Sequence, residues 1–466
     1  MKKINIILFF IMLISLIILS FSVLRLNILP DKYLIIYFIL ISILNIILGL
    51  ITFVNKNKII RYIFTFIIIL ISILSFFVSF VVLGKTSDFI ENIKEIEEQS
   101  IYYLICLKES NYKDINNLNG KTIGISNNGT DYNTIKLLKN KIEFKEVRYD
   151  NLFNLYDDLL NNKIACIYID SNIKMLFDEV VNDFSDKTMI INEFNIKSSI
   201  EEKNKEEDNS FKDSINIYIS GIDTYGSIDK VSRSDVNIIM SINQKKKKIL
   251  LTTIPRDTYV QLHGTNGPKD KLTHAGIYGI NMSVTTLEDF LGIDIDYYVR
   301  VNFDTLISTI DAIGGVDVYS DITFKAGGYN FYEGNNNMNG KQALVFSRER
   351  KQFTEGDNLR GKHQQAVIAA IVEKVTSSKT LLSNYTNILA SLNNSFQSNI
   401  DDDIIKKFVK EQLNSMSSWD VKSISIEGTG TYTQSTYSMP GWNLYVMVPN
   451  EETVIYAHNE INSLSN

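Results

Sequence analysis

Residues 214–260 read SINIYISGIDTYGSIDKVSRSDVNIIMSINQKKKKILLTTIPRDTYV, and this stretch decides the fold of the C-terminal half of the chain. Three runs rich in β-branched and other apolar residues alternate with short polar segments, a pattern that predicts three strands. Each strand borders a short charged motif, in order GID, SRSD and IPRD. We therefore expect a sheet that carries aspartate and arginine side chains at the ends of its strands.

The sequence downstream mixes helices with further strands. We predict helices around 283–291, over FDTLISTIDAIGG up to Gly314, from near Arg360, and over 379–394 and 401–417. We predict strands over DYYVRVN, VDVYSD, QALVFSRER, VKSISIEG and WNLYVMVP. Together these elements predict one α/β domain over residues 214–466.

Upstream of this domain, residues 99–197 show a second and smaller α/β pattern. The strand IYYLICL leads to a glycine-containing loop and a helix, and YDNLFNLYDDLLNNKIACIYID predicts a second helix and strand. Residues 114–138 resemble one lobe of periplasmic solute-binding proteins, in which such a loop presents backbone N–H groups to a ligand. A single lobe lacks the second half of a closing cleft, so we expect an accessory module for packing or partner binding.

Cys106 and Cys166 fall in apolar strands of this accessory module. Because nothing in the sequence places the two strands side by side, we expect buried free thiols. The charged stretch SSIEEKNKEEDNSFKD at 198–213 predicts a linker. We therefore expect the module to stand apart from the arginine cluster and to be dispensable for the chemistry of the C-terminal domain.

Three apolar runs occupy residues 4–24, 33–54 and 63–83, and none contains a charged residue. Each is close to the roughly 20 residues that a helix needs to cross a bilayer. No small-residue cleavage site follows the first run, so residues 1–83 are predicted to form a three-helix transmembrane anchor. Basic residues precede the first span and separate the second from the third. The positive-inside rule thus puts the N-terminus in the cytoplasm and the large C-terminal part outside the cytoplasmic membrane.

The sequence that follows the spans is acidic. A short amphipathic stalk is predicted over 84–98. Residues 1–83 carry seven basic residues and one acidic residue, which leaves 40 basic and 52 acidic residues for the rest of the chain. This excess argues against a nucleic-acid partner, which would require a basic face. Two cysteines and four scattered histidines argue against a structural zinc site.

The arginines of the C-terminal domain are concentrated in motif-like segments. The chain has nine arginines and 38 lysines, so a basic position without special requirements would usually be lysine. Arginine differs in its rigid fork of donors, which suits bidentate contacts to phosphate or carboxylate. Five arginines stand in SRSD, IPRD, SRER and DNLRGKHQQ, namely Arg233, Arg256, Arg348, Arg350 and Arg360. We interpret them as an anion-binding cluster; structural ion pairing is the alternative, and it suits Arg300 better.

Aspartates accompany these arginines at predicted strand ends or motif borders: Asp223, Asp235, Asp257 and Asp357. Two carboxylates at the mouth of a sheet, with phosphate oxygens completing the shell, suit Mg²⁺, which takes few protein ligands and keeps several waters. Ordinary turn or capping aspartates are the alternative, notably for Asp223, which precedes a Thr-Tyr-Gly turn.

The ordered motifs resemble those of the LytR-CpsA-Psr family of cell-envelope glycopolymer transferases. Over residues 214–378 they are GID, RSD, IPRDTYV, DYYVRVNF, IDAIGGVDV, RER and DNLRGKHQQ. Three spans and an accessory module are similar to the capsule-associated branch of that family. The resemblance implies a membrane-anchored α/β protein whose C-terminal α-β-α domain binds a polyprenyl-pyrophosphate-linked saccharide. The lipid would lie in an apolar pocket, and Mg²⁺ and arginines would hold the pyrophosphate.

The resemblance also implies roles for individual residues. Asp223 and Asp235 take the metal-ligand positions. The pyrophosphate positions fall on Arg233, Arg256, Arg348, Arg350, Arg360 and Gln364. The catalytic candidates are Arg256, Asp257 and Asp357, of which the two aspartates would orient arginines or accept a proton. Two departures from the family pattern, Gly279-Ile280 in place of Gly-Gly and His363 in place of arginine, bear on the loop shape and the number of phosphate contacts.

The implied reaction is a phosphotransfer outside the membrane. A hydroxyl of a peptidoglycan sugar attacks the sugar-side phosphorus, the glycopolymer moves with its phosphate, and polyprenyl phosphate leaves. The glycopolymer would be a capsule, a teichoic acid or another secondary polysaccharide. Two other hypotheses stay open: a non-catalytic regulator that binds lipid-linked sugar, and a pyrophosphatase in which water replaces the sugar hydroxyl.

Overall fold

The computed structural model describes residues 2–54, 57–83, 98–127, 132–198, 212–222, 231–349, 357–376 and 396–465. Most of the predicted stalk and linker, the predicted helix over 379–394, and the candidates Asp223 and Arg350 lie outside the described residues.

Three long helices occupy the N-terminal part of the chain, as predicted. They are α1 (Lys2–Leu26), α2 (Asp31–Val54) and α3 (Lys58–Phe77), and a π-helical turn at Val78–Leu83 continues the third. By length and composition all three can cross a membrane. Many of their apolar side chains face outward and are exposed, as lipid-facing positions are. The protein is therefore membrane-anchored.

The accessory module is an α/β unit built on a five-stranded sheet. Its strands are β1 (Glu98–Leu107), β2 (Thr122–Ser126), β3 (Lys145–Tyr149), β4 (Cys166–Asp170) and β5 (Thr188–Ser198), in the order β3-β2-β4-β1-β5. Its helices are α4 (Tyr132–Lys139), α5 (Leu152–Leu160), α6 (Ser171–Val180) and α7 (Phe184–Lys187). Alternate residues of the strands enter two cores, with Ile105 and Ile167 on one face and Leu104 and Tyr168 on the other. The predicted α/β character of this module is confirmed.

Cys106 and Cys166 form a disulfide, so the prediction of free thiols is wrong. Strands β1 and β4 are antiparallel neighbours and place the two cysteines directly opposite each other, with their Cα atoms 4.3 Å apart. The two strands are separated by β2, β3 and two helices in sequence, which is why their contact was not visible in the sequence. Closure over a sequence separation of 60 residues is worth about 4 kcal/mol in the chain-entropy model.

The C-terminal domain is built on a mixed six-stranded sheet in the order β16-β11-β6-β7-β8-β17. These strands are β6 (Ser214–Gly221), β7 (Val236–Asn243), β8 (Lys248–Thr253), β11 (Tyr297–Val301), β16 (Phe396–Ser398) and β17 (Asp420–Ser425). Short strands outside it are β9 (Tyr259–Val260), β10 (Asp270–Lys271), β12 (Val316–Ser320), β13 (Phe324–Ala326), β14 (Tyr329–Phe331), β15 (Gly334–Met338), β18 (Gly428–Thr433) and β19 (Leu444–Pro449). The helices are α8 (Leu272–Ala275), α9 (Ile280–Leu291), α10 (Phe303–Ala312), α11 (Gly340–Arg348), α12 (Asp357–Thr376), α13 (Asp402–Ser415) and α14 (Glu451–Ser465).

Helices cover both faces of this sheet, which gives three layers. Ile217 and Ile238 face the layer that contains α12 and α13. Their neighbours Tyr218 and Ile239 face the layer that contains α9 and α14. Successive residues of one strand thus enter apolar cores on opposite faces of the sheet, as a sheet buried on two sides requires. The expected α-β-α domain is confirmed.

One predicted strand, QALVFSRER, is instead helix α11, and that prediction is wrong. The Asn339 side chain accepts a hydrogen bond from the backbone N–H of Gln342, whose own side chain accepts from the backbone N–H of Asn339. This reciprocal cap starts the helix. Ala343, Leu344 and Phe346 then fall on its buried side.

The connection between α1 and α2 packs on the C-terminal domain. Leu26 and Ile28 form a buried apolar cluster with Leu413 of α13. Beside this cluster, Lys410 Nζ lies 3.1 Å from Asp31 Oδ1. The layer that contains α12 and α13 is therefore the one next to the membrane helices.

We predict that this contact exists in intact membranes. Asp31→Cys combined with Lys410→Cys should be joined by a short bismaleimide, because the two native side chains form an ion pair and the native cysteines are held in a disulfide. The matched control is Asp31→Cys with Glu460→Cys, since Glu460 lies on α14 in the opposite layer. Gel mobility measures the product, and equal yields from the two pairs would contradict the contact.

Candidate functional site

A cavity of 840 Å³ lies at the edge of the central sheet where β6 and β11 end and β7 begins. One part of its wall is apolar and consists of Met175, Ile219, Ile222, Val236, Val301, Phe303, Leu306, Leu344, Val367 and Ile368. The other part is charged or polar and includes Asp178, Glu179, Arg233, Asp235, Arg256, Arg348, Glu349 and Gln364. Sequence-predicted site residues from four separate motifs thus meet around one space.

The segment that carries Arg233 and Asp235 is held rigidly just before β7. Ser234 Oγ is hydrogen-bonded to Ser220 Oγ at 2.8 Å, and the Ser234 carbonyl accepts from Asn237 Nδ2 at 3.0 Å. Arg300, which is 1% exposed, donates to the Ser232 carbonyl at 3.4 Å. Arg300 therefore supports this segment from within the core.

Arg256 is fixed between two aspartates. Its Nη1 donates to Asp235 Oδ1 at 3.1 Å, and its Nε lies 3.5 Å from Asp257 Oδ2. Asp257 is buried and pairs on its other side with Lys271, whose Nζ lies 3.0 Å from Asp257 Oδ1. This geometry fits Asp257 as a group that orients Arg256.

Two charged residues at this site, Lys271 and Glu179, lie in no motif singled out from the sequence. Glu179 belongs to α6 of the accessory module, yet its Oε2 accepts a hydrogen bond from Arg233 Nη1. Its Oε1 accepts from Lys271 Nζ at 3.1 Å. Burial by itself would raise the pKa of Glu179, but the charges of Lys271 and Arg233 outweigh it and lower the pKa to about 2. The carboxylate is therefore ionised at any physiological pH.

The accessory module also shares a core with the C-terminal domain. Met439, Leu444 and Trp442 of that domain pack among buried residues of α5 and α6, and the Trp442 ring lies 5.4 Å from that of Phe153. The expectation that the module stands apart from the site is wrong, because α6 forms part of the cavity wall. No local sequence pattern could reveal this, since the contact joins segments from two separately patterned modules.

Arg348 and Gln364 enter the site from α11 and α12. The Arg348 guanidinium lies 4.2 Å from the centre of the Phe303 ring, a cation–π contact that sets its position at the cavity. Helix α12 begins at Asp357 and includes Arg360, but their side chains, like all of Asp223 and Arg350, lie outside what the structure describes. Their predicted roles remain predictions.

The two departures from the family pattern both point into apolar cores. His363 is buried and stacks 4.1 Å from the Phe346 ring centre, and burial lowers its pKa. Ile280 is the first residue of α9; it is 2% exposed and packs in the apolar core of the C-terminal domain. The preceding Gly279 has φ +97°. Neither Ile280 nor His363 is among the described residues that line the cavity.

Of the described carboxylates at the cavity, Asp235 could contribute an oxygen ligand to a metal ion. Asp235 Oδ1 accepts from Arg256 and from Thr273 Oγ1 at 3.0 Å, whereas its Oδ2 has no hydrogen bond within the described residues. Across the described ranges no group of three or more His, Cys, Asp or Glu side chains could hold a metal ion. Mg²⁺ commonly uses one or two carboxylates together with phosphate oxygens and waters, so this sparse set suits it.

Fold and site together define a membrane-anchored α/β protein with an apolar cavity that is bordered by arginines. The LytR_cpsA_psr family model matches residues 186–448, and the chain belongs to this family. It is 36% identical over 217 residues to polyisoprenyl-teichoic acid–peptidoglycan teichoic acid transferase TagU of Bacillus mycoides, which covers 46% of this chain and 69% of that protein. TagU of Enterococcus faecalis is 34% identical over 253 residues, 54% of this chain and 80% of that protein. The crystal structure of B. subtilis TagV is 28% identical, covers 55% of this chain and 98% of that chain, and has a TM-score of 0.46.

We predict that Gly276→Ala disrupts the Arg233 segment. A Cβ at Gly276 would lie 2.6 Å from the Ser232 carbonyl oxygen and 2.7 Å from the Ser234 backbone nitrogen, so backbone must shift. Overpacking of this kind costs about 1 to 3 kcal/mol, which thermal unfolding of the purified protein would measure. Gly361→Ala is the control, since among the described residues its Cβ would meet only Thr253, at 4.0 Å. A Gly276→Ala protein as stable as its parent would show that the segment is loosely held.

Proposed function

We propose that this protein transfers a glycopolymer from polyprenyl pyrophosphate to peptidoglycan at the outer face of the cytoplasmic membrane. The observation that carries the proposal is one cavity with an apolar wall next to arginines and a carboxylate. A polyprenyl-pyrophosphate donor has the same division, because a long hydrocarbon chain adjoins two phosphates. The names of the TagU relatives favour transfer to peptidoglycan, with a teichoic acid as the glycopolymer.

The arginines would bind the pyrophosphate and stabilise charge as it develops. Arg233, Arg256 and Arg348 reach the cavity from three different elements. Ion pairs with Asp235 and Asp257 hold Arg256 in place before any donor arrives. Donors that are already oriented need little reorganisation during the reaction, which is the main source of electrostatic catalysis.

Mg²⁺ is the proposed cofactor, with Asp235 and Asp223 as its protein ligands. When bound, the ion would withdraw charge from phosphoryl oxygens as a Lewis acid. Asp235 would keep Arg256 and the ion in one place, because its two oxygens can serve the two groups separately.

The acceptor hydroxyl would form a new bond to the sugar-side phosphorus as the bond to the bridging oxygen breaks. The glycopolymer then carries its phosphate to the acceptor, and polyprenyl phosphate leaves with the bond's electron pair. The hydroxyl proton needs an acceptor. Asp257 is engaged by both Arg256 and Lys271, so we assign it an orienting role and keep Asp357 as the candidate proton acceptor.

The proposed topology places the N-terminus in the cytoplasm and residues 84–466 outside. The connection between α1 and α2 and the chain after α3 must lie on the same side of a membrane that three helices cross. Their packing through Leu26, Ile28 and Leu413 supports this arrangement. The basic residues before α1 and between α2 and α3 favour the cytoplasm for the other side. A donor lipid in the outer leaflet would then lie beside the domain that uses it.

We predict that Arg256→Lys lowers the transfer rate roughly ten- to a hundredfold, since lysine keeps the charge but loses charge-assisted contacts worth about 1.5 to 3 kcal/mol. The effect is measured as the rate at which labelled glycopolymer is transferred to peptidoglycan, with and without Mg²⁺. Arg148→Lys is the control, because Arg148 pairs with Glu146 on the exposed surface of the accessory module.

Three results would contradict the proposal. If the Arg256→Lys variant transfers glycopolymer within twofold of the parent rate, Arg256 does not bind the pyrophosphate and the cavity is not the phosphate site. Donor cleavage that is indifferent to peptidoglycan would indicate a pyrophosphatase. Donor binding without turnover would indicate a regulator.

A further inference from the structure

We infer that Glu179 of the accessory module is a positioning residue for the phosphate site, so that the site is complete only with the module docked. This inference deepens the proposed function and rests on it. It concerns how Arg233 and Lys271 are held, and it assigns a task to the accessory module.

Glu179 occupies the middle of a chain of alternating charges. Arg233 donates to Glu179, Glu179 accepts from Lys271, and Lys271 lies 3.0 Å from Asp257. Asp257 in turn lies 3.5 Å from Arg256. Arg233 and Arg256 are thus connected through three intervening side chains, and one of these comes from the accessory module.

The position of Glu179 is unsuited to a purely structural contact between modules. Docking is already provided by apolar packing of Met439, Trp442 and Leu444 against the module's core. Glu179 instead lines the cavity with two neighbours on the same helix, Met175 and Asp178. A carboxylate beside an anion site weakens anion binding by charge alone, so its placement there requires a compensating benefit.

Orientation of Arg233 is that benefit. Arginine loses considerable rotamer freedom when it is held, and a bidentate phosphate contact needs its planar fork in one orientation. Glu179 accepts a hydrogen bond from Nη1 of the Arg233 guanidinium. Glu179 is itself held by Lys271, whose side chain is 5% exposed. The low pKa of Glu179 agrees with a permanently charged anchor and disfavours a role as proton acceptor.

Three possible roles for Glu179 predict different changes in donor KM. If Glu179 were only a negative charge, or a stand-in that the phosphate displaces, Glu179→Gln would tighten donor binding and lower KM. If Glu179 positions Arg233, the same substitution leaves the guanidinium unheld and raises KM. A residue needed only for folding would change the thermal unfolding temperature and leave KM as it is.

The test is steady-state transfer by the full-length chain in detergent, with a short-chain polyprenyl-pyrophosphate-linked saccharide as donor. We expect Glu179→Gln to raise donor KM at least fivefold, whether or not the loss of the ion pair with Lys271 also lowers the unfolding temperature. Glu146→Gln is the matched control: Glu146 also pairs with two basic residues, Lys139 and Arg148, but it lies within the accessory module and does not border the cavity, so its KM should stay within twofold of the parent. In an Arg233→Lys background, Glu179→Gln should have little further effect, since the group that it positions is gone.

If the Glu179→Gln variant does not fold, Glu179→Asp is assayed in its place. It keeps the charge but shortens the reach by one methylene, so KM should again rise. An unchanged or lowered KM in the variant that folds would overturn the inference. Arg256→Lys, assayed in parallel, separates the two proposals: if Arg256→Lys is impaired and the Glu179 variants are not, the positioning inference alone is wrong. If none of them is impaired, the proposed function is wrong as well.

Discussion

Several charged side chains lie beside an apolar cavity, and most of them form one chain of contacts between opposite charges. Removing a charge from water is costly unless a partner compensates it, so this part of the fold depends on pairing. Arg256 lies between Asp235 and Asp257, and Lys271 lies between Asp257 and Glu179. Because Glu179 comes from the accessory module, the same constraint joins the two modules and completes the wall of the cavity.

The backbone geometry that supports these charges comes from the central sheet. Strands β6 and β11 run parallel and end side by side, with Gly221 opposite Val301, and β7 begins next to them. Residues that follow or precede these strand ends are therefore brought to one edge. The cavity extends from this edge along the face covered by α12, which is also the layer that contacts the connection between the first two membrane helices. An apolar chain that leaves the bilayer would have a short path to the cavity.

The sequence predicts what local patterns encode. Alternating apolar residues in β6, β7 and β8 predict the sheet correctly, and the uneven use of arginine marks Arg233, Arg256 and Arg348 as cavity residues. The short apolar run QALVF suits a strand or a buried helix equally well, and only the cap between Asn339 and Gln342 decides for the helix. The Cys106–Cys166 bond and the roles of Lys271 and Glu179 depend on tertiary contacts between distant segments. No spacing within the sequence reports such contacts.

The central claim is that the apolar wall and the arginines form one donor site. Its most direct test is calorimetry, which measures how tightly a short prenyl pyrophosphate binds to the purified chain in detergent. If the apolar wall and the arginines form one site, geranylgeranyl pyrophosphate should bind at least tenfold more tightly than either inorganic pyrophosphate or geranylgeranyl monophosphate, and Mg²⁺ should strengthen its binding. Equal affinity for inorganic pyrophosphate and the prenyl ester would contradict the account, because the apolar wall would then contribute nothing to recognition of the donor.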